Sequence, residues 1–129
     1  FPESDEPRRL AAEIHDLNPV QNIKVEVLNG CGIKGIAAKA ADYLLLEHQI
    51  DVVRADNADN HNYQNTLLIL RNENLDAIEL VGRSFGIAKS NKTAIQTKPD
   101  ESLGVDLTII IGKDIHSYSN IFDFIATKN

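Results

Sequence analysis

A chain of 129 residues, 43% of them hydrophobic and 25% charged, fits one domain whose core needs neither disulfide nor metal. Thirteen Lys and Arg against nineteen Asp and Glu leave a net charge of -6, which argues against non-specific binding to nucleic acid or to an anionic membrane surface. The single Cys31 excludes an intrachain disulfide and a cysteine-based zinc site. No apolar run reaches the ~20 residues that span a bilayer. Residue 1 is Phe rather than Met, so any signal peptide or membrane anchor is expected upstream of it.

Residues 1–22 read as a lead-in. Phe1 to Pro7 is acidic and bounded by prolines, and Arg8 to Leu17 places Leu10, Ile14 and Leu17 on one side of a short helix that ends at Asn18-Pro19. The domain proper is expected over residues 23–129, with its core in 23–114 and a terminal helix in 115–129. Ile23, Val25 and Val27 alternate with Lys24 and Glu26, the pattern of a strand with one core face. Glycines 30, 32 and 35 follow, then a helix from Ile33 to Glu47 with small residues for close packing on a sheet. Ile50 to Ala55 reads as a second strand. The run Asp56 to Gln64, rich in Asn and Asp, reads as a loop, and Thr66 to Arg71, apolar on both faces, as a central strand.

Asn72 or Asn74 can cap the next helix, in which Leu75, Ile78, Val81 and Phe85 recur at helical spacing and Gly86 is a natural stop. Ala88 to Gly104 is a polar connection with a short extended piece at Thr93–Thr97. Val105 to Ile111 is the last strand, and Ser117 to Lys128 a terminal amphipathic helix. This order predicts an α+β fold, a βαββαβ two-layer sandwich. Two crossovers joined by a hairpin give a four-stranded sheet with two helices on one face, plus the C-terminal helix. The second sheet face is expected to be open, lined by Lys24, Glu26, Asp106 and Thr108, with the terminal helix across part of it.

Gly30, Gly32 and Gly35 carry the G-x-G-x-x-G spacing of a dinucleotide-binding turn, and Asp56 stands where an acidic ribose ligand would fall. Only a short loop separates the second and third strands, too little for the crossover helix of a doubly wound sheet, so a nucleotide or phosphate site is the weakest reading. No pair of His15, His48, His61 and His116 shows metal-ligand spacing, and the Asn-rich loop lacks the glycine and terminal Glu of a calcium loop. Cys31 reads as a small side chain filling a tight turn, since no base is placed beside it in sequence. No cofactor, metal or catalytic residue is expected.

The segment from Ile23 to Ala37, with Asn29-Gly30-Cys31-Gly32 and Gly35 after an alternating strand, resembles the opening signature of the LytR C-terminal domain family. The helix and strand across Leu44 to Val53, Asp56-Asn57-Ala58, Thr66, Val105-Asp106 and Ile111-Gly112-Lys113-Asp114 extend the resemblance to about residues 22–114. Signature positions are Asn29, Gly30, Gly32, Gly35, Thr66, Asp106, Gly112 and Asp114. Cys31 departs from it, since relatives more often carry Thr, Ser or Ala there.

The resemblance implies an extracytoplasmic domain, found behind the LytR–CpsA–Psr catalytic domain or alone behind a membrane anchor. The arginine-rich catalytic region is lacking here, so transferase activity does not carry over. A non-enzymatic cell-envelope domain is therefore expected, membrane-tethered in the full-length protein. It would contact a cell-wall glycan or an envelope protein through the open sheet face or the turn of Asn29, Gly30, Cys31, Gly32 and Gly35. The alternative is a dimerisation or protein-interaction module that uses Tyr118, Ile121, Phe122 and Ile125; no nucleic-acid partner is expected.

Overall fold

The structure, a computed structural model, describes residues 23–88 and 90–127; the lead-in helix expected within residues 1–22 lies outside them. The elements are β1 (Lys24–Asn29), α1 (Ile36–His48), β2 (Asp51–Asn57), β3 (Leu67–Leu70), α2 (Leu75–Phe85), β4 (Ile95–Thr97), β5 (Leu107–Ile111) and α3 (Ser119–Thr127). Short 3-10 turns occupy Glu101–Leu103 and Lys113–Ser117.

Local chemistry sets the helix ends. α1 begins three residues later than its apolar spacing suggests because Gly35 sits at φ 77, a left-handed conformation that a helix cannot include. It stops at Gln49, φ 54, whose N–H reaches back to the carbonyls of Leu44 and Leu45. α2 starts at Asn74, whose side chain accepts the Asp76 N–H at 3.2 Å. It ends at Gly86, after which Ile87 donates to the Gly82 carbonyl at 2.8 Å. Both α2 caps are those expected from sequence.

The sheet has five strands in the order β2-β1-β5-β3-β4. β1 is parallel to both β2 and β5, β5 is antiparallel to β3, and β3 is parallel to β4. This corrects the expected four-stranded sheet in two ways. The extended piece at Thr93–Thr97 becomes the edge strand β4, paired through Leu68↔Ile95 and Leu70↔Thr97. And β2 does not form a hairpin with β3: it is an edge strand, separated from β3 by β1 and β5.

The connection of residues 58–66 explains why. It runs across the C-terminal ends of β1 and β5 and bonds to each. Ala58 donates to the Asn29 carbonyl at 3.0 Å, Tyr63 to Gly30 at 3.0 Å, and Lys113 donates back to Tyr63 at 2.9 Å. Three strand spacings cover ~15 Å, and a chain of this length reaches ~30 Å, so the segment serves a bridge as readily as a hairpin.

Every helix lies on one face. Val25 and Val27 of β1, Leu107, Ile109 and Ile111 of β5, and Leu68 and Leu70 of β3 share that face by register. They form one core with Ala40 and Leu44 of α1, Val81 and Phe85 of α2, and Ile121 and Ile125 of α3. Each such large side chain contributes about 1.5–3 kcal/mol by leaving water. The terminal helix therefore joins the helical layer instead of crossing the opposite face.

Candidate functional site

The turn after β1 is held by one amide. Asn29 is buried, and its Oδ1 accepts the N–H groups of Cys31 at 3.1 Å and Gly32 at 2.9 Å, while its Nδ2 donates to the Ile33 carbonyl at 2.9 Å. The Cys31 thiol lies 3.5 Å from the same oxygen. The Gly30 N–H is taken by the Ile111 carbonyl at 2.9 Å. Three backbone donors that a phosphate cradle would use are thus already engaged.

Each glycine has its own reason. A Cβ on Gly30 would stand 2.7 Å from both Ile110 Cγ2 and Tyr63 Cδ1, so close packing requires it. Gly32 sits at φ 84 with the His61 side chain 3.5 Å from where a Cβ would be. Gly35 has nothing within 4 Å; it serves the left-handed backbone alone, not close packing of helix on sheet.

Beside this turn lies a cleft of about 240 Å³, lined by Asn29, Gly35 and Ala37 on one side and Ala55, Asp56 and Asn57 on the other. It opens at the C-terminal ends of β1 and β2, where open α/β sheets receive ligands. The start of α1 forms one wall and has neither a side-chain cap nor an acid in its first turn. Asp56 and Asn57 are exposed, and Asp56 Oδ1 accepts the Asn57 N–H at 2.8 Å. The wall chemistry is mixed: amide, carboxylate and small apolar surface.

The loop of residues 58–66 adds His61 over Gly32. It also adds Tyr63, whose hydroxyl donates to Asp59 at 2.7 Å. That hydrogen bond, with burial behind it, pushes the Tyr63 phenol above its ordinary range. Asn57 reaches the turn through its register opposite Asn29, and the approach of His61 has no signature in sequence except the density of Asn and Asp after β2.

The opposite sheet face is not open as expected. Lys24, Glu26, Asp106 and Thr108 do share it, with Glu26 opposite Thr108. But Glu26 and Thr108 are buried. Thr108 donates to Glu26 Oε2 at 2.6 Å, and Arg54 Nε donates to Glu26 Oε1 at 3.0 Å. Arg71 Nε donates to the Thr108 hydroxyl at 2.9 Å. The two arginines then hold the β4–β5 connection over the face, Arg71 through the Lys98 carbonyl and Arg54 through that of Leu103. Asp106 is engaged by the Lys24 N–H at 2.9 Å and the Asn72 amide at 2.7 Å. Of the four, Lys24 is exposed and Asp106 half-buried.

Thr66, Gly112 and Asp114 come together where the bridge reaches β3. Asp114 Oδ1 accepts both the N–H and the hydroxyl of Thr66 at 2.8 Å, and the Thr66 oxygen accepts the Gly112 N–H at 3.0 Å. A Cβ on Gly112 would fall 2.3 Å from the Asn65 carbonyl carbon. These three positions fasten the crossing of the bridge over β5.

Among the described residues no three His, Cys, Asp or Glu side chains converge as metal ligands, and no helix is long and apolar enough to cross a membrane. His48 lies against Tyr43, Nε2 to hydroxyl 3.0 Å, and burial lowers its pKa. The profile of the family described as LytR cell envelope-related transcriptional attenuator matches residues 22–114. No curated protein and no solved structure matches the chain. With well over half of its 129 residues inside that match, the chain belongs to the LytR C-terminal (LytR_C) family, a cell-envelope-related domain.

Proposed function

We propose that this domain is a non-catalytic binding module of the cell envelope that contacts a wall glycan through the cleft beside the Asn29 turn. In this reading the full-length protein is tethered to the membrane and the domain lies on its extracytoplasmic side. One observation carries the site: the cleft at the ends of β1 and β2 offers hydrogen-bonding groups at Asp56 and Asn57 beside Ala37, Ala38 and Ala55. Closely spaced donors and acceptors among small side chains suit a polyhydroxylated ligand, whose hydroxyls donate and accept in turn. The sheet face opposite the helices is the poorer choice, because Glu26, Asp106 and Thr108 already spend their hydrogen-bonding capacity inside the chain.

Catalysis has little to work with. Cys31 faces an amide oxygen, not a base, and no nucleophile is paired with a general base in the cleft. The test is retention on purified cell-wall sacculi, with the wild type compared to an Asp56→Ala/Asn57→Ala double variant. Retention of the wild type and its loss in the variant is the expected outcome; no retention of the wild type removes the glycan assignment.

A protein partner is the second reading, and one observation favours it. Leu45 and Leu46 of α1 and Val53 of the edge strand β2 are exposed, at 55%, 57% and 44%. The terminal helix is the poorer dimerisation surface, because Ile121 and Ile125 lie in the core. Light scattering decides between the two surfaces: a dimer that a Leu45→Glu/Leu46→Glu variant dissociates places the contact on α1 and β2.

A further inference from the structure

A second pocket lies away from the cleft, on the helical side, between the start of α1 and the segment that follows β5. Its walls are Ile36, Ile115 and Ile125, with Ile33 and Phe122 at the mouth, and it encloses about 230 Å³. Ile33, in the turn before α1, is 40% exposed there, so an apolar side chain meets water at the edge of an apolar pocket. Three cationic or ionisable side chains, Lys34, Lys39 and His116, also line it, and among the described residues no carboxylate does. The His116 ring leans on Phe122 with centroids 5.0 Å apart. Lys34 and His116 thus stand at the mouth of a pocket whose interior is aliphatic.

We propose that this pocket takes the end of a single unbranched acyl chain whose carboxylate rests against Lys34 and His116. Size and charge together select that occupant. The volume falls below the ~300–1,000 Å³ of sites that enclose a drug-sized molecule, which leaves room for a narrow chain entering end-on. The aliphatic walls accept methylene groups, and the basic mouth accepts a carboxylate where the chain emerges into water. A neutral alcohol of equal length fills the same space and lacks the electrostatic partner. An acidic peptide fits less well. The free sheet edges are β2 and β4, whereas the pocket is lined by the start of α1, the turn after β5 and α3, so no strand edge offers main-chain pairing there.

The experiment is a titration of the whole chain with decanoate below its micelle concentration, followed by calorimetry and by amide NMR. Octanoate, n-decanol and an acidic, leucine-containing peptide serve as comparisons. Saturable one-to-one binding of decanoate is expected. Octanoate should bind more weakly, by up to about fourfold for each methylene lost, and decanol several-fold more weakly than decanoate. Ala126 also lines the pocket and is exposed; Ala126→Trp, which fills the pocket from that position, should weaken decanoate binding by about tenfold or more, and Lys34→Glu by several-fold. Should Ala126→Trp fail to fold, Ile33→Asp at the exposed mouth replaces it. The proposal is overturned by absence of saturable decanoate binding, by equal affinity for decanol, by unchanged binding in the pocket-filling variant, or by peptide binding that decanoate does not displace.

Discussion

The two faces of one sheet are built by opposite means. On the helical face the inward residues of β1, β3 and β5 are aliphatic except Asn29 at the end of β1, and three helices close over them. On the other face the same strands bury Glu26 and Thr108, and two arginines from β2 and the end of β3 bind a carboxylate, a hydroxyl and two carbonyls of a connecting segment. The first face gains stability from area removed from water and tolerates changes of shape that conserve volume. The second depends on complete satisfaction of each polar group, so the loss of one partner is felt by the others. Where the chain passes from β2 to β3 it crosses the ends of β1 and β5, and at Gly112 the bridge leaves no room for a Cβ.

The largest effect is expected at that crossing. Gly112→Ala would drive a Cβ into the Asn65–Thr66 peptide, which cannot shift without breaking the Thr66–Asp114 bonds. A loss of more than about 3 kcal/mol is expected, read in chemical denaturation as a chain with little cooperative unfolding. A well-folded Gly112→Ala protein would show that the crossing has room.

On the aliphatic face, Ile109→Ala should cost about 2–5 kcal/mol, because Ile109 is fully buried at the centre of β5. On the polar face, Arg54→Leu should cost about 1–3 kcal/mol. It leaves the Glu26 carboxylate with the Thr108 hydroxyl alone, and Arg54 is itself partly exposed, which limits the loss. The double variant Glu26→Leu/Arg54→Leu should recover much of that cost. If the double loses the sum of the singles, the two residues act independently and the contrast between the faces fails.

The smallest effect is expected with pH. Burial lowers the His48 pKa, with Glu47 opposing weakly, so the folded chain holds that proton less readily than the unfolded one. Above the ordinary imidazole value near pH 6.5 both states are neutral and there is no contribution. As pH falls below it, the unfolded state takes up more protons and stability declines. The melting temperature of the wild type should therefore fall more between about pH 6.5 and pH 5 than that of His48→Gln; parallel curves would contradict this.

Much of the local structure was legible. Alternation located β1 and β5, the Asn74 and Gly86 caps bounded α2, and the family was recognisable from the glycine turn and the spacing beyond it. Sheet order was not legible, because a strand's pattern states which face is buried and not which strand lies beside it. Residues 58–66 are long enough for a hairpin or for a bridge across two strands, and only the partners waiting on β1 and β5 decide. Alternation also placed Lys24, Glu26, Asp106 and Thr108 correctly on one face, but polar composition was equated with exposure. The missing cue was Arg54 and Arg71, polar residues on neighbouring strands that could meet Glu26 and Thr108 inside the protein. The cleft was legible only in part: the turn was visible, whereas the approach of Asn57 depends on the β1–β2 register and that of His61 on the bridge.

The cleft beside the Asn29 turn is the centre of the proposed function, and amide NMR tests it most directly. Soluble glycan fragments released from sacculi would be titrated into the labelled chain. Glycan binding at the cleft predicts saturable shifts confined to Asn29, Gly35, Ala37, Ala38, Asp56 and Asn57. Shifts clustered instead around Lys24, Asn72 and Asp106, or no shifts at all, would contradict it.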